Sequence, residues 1–368
     1  MAKTTSRNYG LDIVRVFAFC SVVSVHYFLN TPFYNVQIQG GRLYIATLLR
    51  VFSMVCVPLF LLLSGYLMRK KKATKQYYLK LVGILMEYLL ASLCCAIYEL
   101  IIHGIPEDLL RYLKETVLGV FFFQLAPYSW YVEMYIGLFL LIPYLNIIYE
   151  NMDGQKGKQK LILTMLLLTS IPCMTHIVPV HVWGQLKSLR VFPEYWIEIY
   201  PITYYFIGAY LSEYPLKIAK SRNLLLIFLT AVISGSLCYW KSYGNLFEAG
   251  AWQLYQSGFI MVQAILVFTL LSQVSLKPDG KAAKLVSYLS GLCFSAYLVS
   301  YIFDQIVYGR LGLGEATADY KIAYFIVAVP LVILLSLMLS AVIQNVCVLL
   351  YWIAHKIQKV KKASMRIK

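Results

Sequence analysis

The chain reads as an all-α, polytopic membrane protein of about ten transmembrane helices. Of its 368 residues 60% are hydrophobic and 14% charged, with a mean hydropathy of +0.68, far more apolar material than a water-soluble core of this size uses. The apolar residues fall in continuous runs of about 18 to 25, the length that crosses hydrocarbon as a helix, whereas barrel strands are short and alternate. The formal charge of +16 sits in short connectors between these runs. That pattern reports membrane topology and gives no reason to expect a nucleic-acid partner.

Taken in order, the first run, 9–30, contains LDIVRVFAFCSVVSVHYF. It starts basic like a signal peptide but lacks a small-residue cleavage site and carries Arg15 and His26, so it is expected to be a retained first span. The second, 43–68, ends at the basic stretch RKKKATKQYYLK, and the third follows at 77–103. Further spans are expected at 129–149, 160–178, 197–214, 222–241, 252–274, 284–308 and 320–354, the last long enough to tilt or to protrude into water. Residues 1–355 are thus one transmembrane domain, and 356–368 form a basic tail. The connectors 104–128 and 179–196 are too short to fold alone. In the first of them Leu109, Leu110, Leu113 and Val117 have helical spacing, which predicts an interfacial amphipathic helix. The second mixes aromatics with Lys187 and Arg190, as an aromatic belt or as an access route for a sugar or an anionic lipid carrier. No internal repeat is visible, which weighs against a transporter built from inverted repeats.

An even number of spans puts both termini on one side of the cell membrane. With that side cytoplasmic, 23 of the 33 Lys and Arg residues face inward and 8 outward, as positively charged cytoplasmic loops require. The eight cysteines lie almost entirely inside apolar runs and show no metal-ligand spacing, so neither a metal nor a disulfide framework is expected.

Ionisable residues inside spans are the candidates for function, because their burial in lipid is costly. Arg15 and His26 are eleven residues apart, within about 20° on a helical wheel, and Asp12 shares their face. One helix thus carries an acid, a guanidinium and an imidazole along a stripe, with about 16 Å of rise between Arg15 and His26. A donor bearing phosphates could be held near Arg15 while an acceptor meets His26. Arg50, about two turns into the second span, needs an anion, and Glu133, one turn into the fourth span after Trp130 and Tyr131, is the expected partner. His26, Arg50 and Glu133 are therefore expected in one layer near the outer surface. The basic run after the second span is suited to lipid headgroups or to a nucleotide-like phosphate cluster. Glu194 and Glu198 are candidates for orienting a hydroxylated acceptor, and Asp304 is a further intramembrane acid with no partner evident from sequence.

Arg15, ten intervening residues and His26, followed by VPLFLLLSGYLM at 57–68, SWYVEMYIGLFLLIPYLN at 129–146, PITYYFIGAYL at 201–211 and FSAYLVSYIF at 294–303, resemble the membrane acyltransferase 3 family over essentially the whole chain. The resemblance implies a ten-helix membrane acyltransferase that moves an acyl group, often acetyl, from cytoplasmic acyl-coenzyme A to a hydroxyl or amine of a cell-surface or lipid-linked carbohydrate. The acyl-coenzyme A is then a donor substrate, and no resident cofactor is implied. His26 becomes the catalytic histidine, as general base or transient acyl acceptor, and Arg15 its motif partner. Glu133 would set the tautomer or protonation of His26. Arg50 or a tyrosine hydroxyl would stabilise the oxyanion, with Trp130 and Tyr131 beside the substrate. Asp12, Arg15 and Lys80 would serve the donor. Two positions depart from the family pattern. Where the family often carries two arginines three apart at the start of the third span, this chain has Lys80 and Gly83, and Ser300 stands where many members have histidine. Lysine keeps the charge but not the planar fork. Transport of a small metabolite or polysaccharide by the same helical domain is the competing reading, and a structural subunit of a polysaccharide export complex is a third.

Overall fold

The computed structural model describes residues 7–175, 179–188, 192–314 and 321–364. Among them the chain is almost entirely helical. α1 (Tyr9–Leu29) is capped by the Asn8 side chain, which accepts from the Gly10 N–H. It lies at the centre of the bundle, packed against α3, α12, α13 and α14.

The expected second span is two helices, α2 (Gly40–Ser53) and α3 (Cys56–Met68). Pro58 has no N–H to give to the Met54 carbonyl and its ring clashes there, so the helix breaks at Met54–Val55 and restarts with Pro58 in its first turn. The same chemistry at Pro172 separates α8 (Gly154–Leu168) from α9 (Ser170–Thr175). Between these lie α4 (Lys75–Tyr78), α5 (Lys80–His103), α6 (Leu109–Phe121) and α7 (Trp130–Glu150). α6 is capped by Asp108 and buries none of its residues, as an interfacial helix would. β1 (Pro179–Val182) and β2 (Gln185–Ser188) form an antiparallel hairpin that the sequence reading did not anticipate. Its two-residue turn, Trp183–Gly184, has positive φ at both positions, the I′ geometry that matches strand twist.

The remaining helices are α10 (Tyr200–Glu213), α11 (Lys220–Ser242), α12 (Gly258–Ser272), α13 (Lys281–Arg310) and α14 (Phe325–Ser364). α14 carries the backbone helix into the expected tail. Seven segments among the described residues are long and apolar enough to cross a membrane. The figure of about ten is not reached on that measure, because α8, α10 and α12 have only 15, 14 and 15 residues.

α3 and α10 approach closely at two glycines. A Cβ on Gly65 would meet the Tyr205 carbonyl oxygen at 2.0 Å, and one on Gly208 the Leu62 carbonyl oxygen at 2.1 Å. The glycines of the SGY and GAYL segments therefore let two backbones touch, the usual way membrane helices gain packing energy. At the Arg15 end of the bundle, Lys158, Arg69 and Tyr149 converge on Glu213 at 2.8, 3.0 and 3.2 Å. They lock α8, α3 and α7 to α10.

Candidate active site

A cavity of about 470 Å³ runs along the stripe of α1. Arg15, Val22, His26 and Leu29, spaced seven, four and three apart, share one helical face and form one wall. α3 forms a second, from Cys56 through Ser64 to Met68. Tyr131 and Tyr135 of α7 and Ser290 to Tyr297 of α13 close the sides. The lining is mainly apolar and aromatic, with its polar groups concentrated at the two ends.

At the Arg15 end, Asp12 is buried and saturated. It accepts from Arg7 Nε at 2.8 Å, from Ser290 Oγ at 2.8 Å and from Arg15 Nη1 at 3.3 Å. Arg15 also donates to Ser290 Oγ through the same Nη1. Asp12 thus holds Arg15 from behind, and the rest of the guanidinium fork faces the cavity mouth, its side chain 31% exposed.

At the other end, His26 is buried among aromatics. The Tyr128 ring lies 3.6 Å from the imidazole, centroid to centroid, and the Tyr297 ring 6.5 Å away. His26 Nδ1 is 3.7 Å from Asp304 Oδ2, and Asp304 is wholly buried. Tyr128 Oη donates to the same Oδ2 at 2.8 Å and accepts from Asn30 Nδ2 at 2.9 Å. At 3.7 Å His26 and Asp304 are not hydrogen-bonded, and among the described residues His26 Nδ1 has no hydrogen-bond partner, but the carboxylate is close enough to attract a protonated imidazole. Among the described residues the buried Tyr297 hydroxyl has no hydrogen-bond partner.

Of the residues singled out from sequence, Arg15, His26, Trp130 and Tyr131 line the cavity together, and Asp12 supports it. Arg50 is buried at the His26 end, with Nε donating to Tyr34 Oη at 2.6 Å. Glu133 is placed differently from the expectation: it is exposed, beside Tyr88, and among the described residues no ion pair joins it to Arg50. Two residues from Tyr131 and from Tyr135, it points away from the face those two tyrosines present to the cavity, and it does not line the cavity itself. The acid at His26 is Asp304. Lys80 is also off the cavity, exposed at the start of α5. Ser300 turns into its own helix, donating to the Tyr297 carbonyl at 2.8 Å. Glu198 is exposed, and Arg190 lies outside the described residues. In the basic run, Arg69 is committed to Glu213.

Tyr128, Asn30 and Tyr297 were not recognised from sequence. The one available signal was the seven-residue step from Tyr297 to Asp304, which puts both on the same face of α13. Glu87, half-buried on α5, was missed as well. It accepts from Ser295 Oγ at 2.5 Å.

The model of the acyltransferase 3 family, described as an acyltransferase domain, matches residues 8–343. No curated protein and no solved structure matches the chain.

Proposed function

The chain belongs to the acyltransferase 3 family, and on that premise we propose that it transfers an acyl group, most simply acetyl, from acyl-coenzyme A to a hydroxyl of a cell-surface or lipid-linked carbohydrate. The observation that carries this reading is the single cavity touching both Arg15 and His26. Eleven helical residues separate them, about 16 Å, a distance suited to the extended pantetheine arm of a donor whose phosphates stay at the Arg15 mouth. The basic loops favour a cytoplasmic Arg15 end.

In this mechanism Asp304 and Tyr128 orient His26, whose Nε2 takes the proton of the acceptor hydroxyl. The acceptor oxygen forms its bond to the thioester carbonyl carbon, and the C–S bond breaks as the tetrahedral centre collapses. The departing thiolate recovers the proton from His26, so coenzyme A leaves as its thiol. Asp304 offsets the positive charge that His26 carries between these steps. The Tyr297 hydroxyl, buried without a partner on the cavity wall, is the donor best placed for the oxyanion, and Arg50 does not line the cavity.

Transport by the same helices is favoured by one observation, the displacement of Lys80 from the cavity. A single experiment separates the two. Membranes containing wild-type protein or His26→Ala are given acetyl-labelled acetyl-coenzyme A, and both glycan-bound label and free thiol are followed. Acyl transfer predicts both products with the wild type and neither with His26→Ala. Equal labelling by the variant would remove the catalytic assignment.

A further inference from the structure

Arg50 is a buried cation with no acid paired with it among the described residues. Nε is used by Tyr34, Nη1 is buried without any hydrogen bond, and among the described residues no carboxylate is paired with it. The planar fork that Nη1 and Nη2 present matches a carboxylate or phosphate, which accepts two parallel N–H bonds. A guanidinium held this way inside a membrane bundle is costly unless an anion joins it.

Its position says which substrate brings that anion. Arg50 lies within electrostatic reach of three cavity residues from different parts of the chain, His26, Cys56 and Tyr255. Its partner Tyr34 sits in the turn Pro32–Asn35, which α1 enters after passing His26. Arg50 is therefore at the opposite end from Arg15, and it does not line the volume that joins the two ends. Phosphates of a donor held at Arg15 do not reach it. Nearby, the Trp130 and Tyr255 rings stack at 6.0 Å with 24° between planes, and Trp130 is 42% exposed. Such rings present a flat apolar face to a sugar ring.

We propose that Arg50 binds an anionic group carried by the acceptor, which makes the acceptor an acidic carbohydrate, bearing either a carboxylate or a phosphate. This rests on the acyl-transfer reading for the word acceptor, and on geometry alone for the anion.

The test is saturation-transfer NMR on the full chain in neutral detergent with three probes: methyl glucuronide, glucose 1-phosphate and methyl glucoside. At least one charged probe is expected to bind about tenfold more tightly than the neutral glucoside. Preference for the glucuronide identifies an acidic sugar, and preference for the phosphate a phosphate-linked one. Arg50→Gln is expected to abolish the preference, and Arg50→Lys to retain part of it. Equal binding of all three probes, no binding of any, or a preference that survives in Arg50→Gln overturns the proposal. Should the Gln variant fail to fold, the wild-type selectivity and the Lys variant still decide. Acetyl-coenzyme A titrated into the same wild-type sample reports separately on the donor. Charge selectivity without donor binding leaves the anion site standing and removes the acyl-transfer reading, and the converse removes the anion site alone.

Discussion

Replacing Asp304 by Asn tests the chemistry at His26 most directly. The side chain keeps its shape, and its amide oxygen still accepts from Tyr128 Oη, now 2.8 Å from Oδ2, so the loss is of charge. When His26 takes a proton, the imidazolium stands 3.7 Å from that carboxylate. At an effective dielectric of about 20 the attraction is about 4 kcal/mol, or ~10³ in rate. Desolvation of the buried carboxylate cancels part of it, which leaves an expected fall in kcat of about 10² to 10³. Asp304 does not line the cavity, so KM for the acyl donor is expected to stay within about twofold. The assay is acetyl-coenzyme A-dependent labelling of glycan in membranes, with thiol release measured in parallel. The same measurement on Glu133→Gln is the control, because that carboxylate is exposed and does not line the cavity. A kcat for Asp304→Asn within threefold of wild type, or an equal fall in Glu133→Gln, would refute the assignment of Asp304 as the residue that positions His26.

Other outcomes follow from the same geometry. Arg15→Gln is expected to weaken acyl-coenzyme A binding about tenfold or more, by titration of the purified chain, while Lys80→Gln, exposed and off the cavity, changes it little. Tyr128→Phe keeps the ring against His26 but removes the hydroxyl between Asn30 and Asp304, and kcat should drop by about tenfold. Gly65→Ala places a methyl 2.0 Å from the Tyr205 carbonyl oxygen and is expected to destabilise α3 against α10 by about 1–3 kcal/mol, visible as a lower melting midpoint in detergent. Single cysteines at positions 72 and 187 in a cysteine-free chain should label from opposite sides of the membrane, and labelling from one side would invalidate the inside-positive orientation.

What sequence disclosed was governed by the distance along the chain over which each inference had to hold. The stripe of Asp12, Arg15 and His26 lies within one helix, so a fixed turn per residue was enough to place all three on one face. Rotation of one helix against another is set by packing, and there sequence failed. Glu133 is exposed and off the cavity, and Asp304, 278 residues from His26, was seen as an acid without its partner. The breaks at Pro58 and Pro172 were readable from proline chemistry but were absorbed into runs whose total length suited a span. Gly65 was part of a motif whose reason is visible only in the backbone of α10. The hairpin turn at Trp183–Gly184 was overlooked because its strands, four residues each, carry almost no alternation.

Tyr128 reaches His26 from the short segment between α6 and α7, and α6 has no fully buried residue, holding to α5 through Tyr112 and Val120. The ring over the imidazole is thus tethered, on one side, to a float riding at the headgroups. On the acyl-transfer reading, rates taken in micelles and in bilayers are therefore expected to differ.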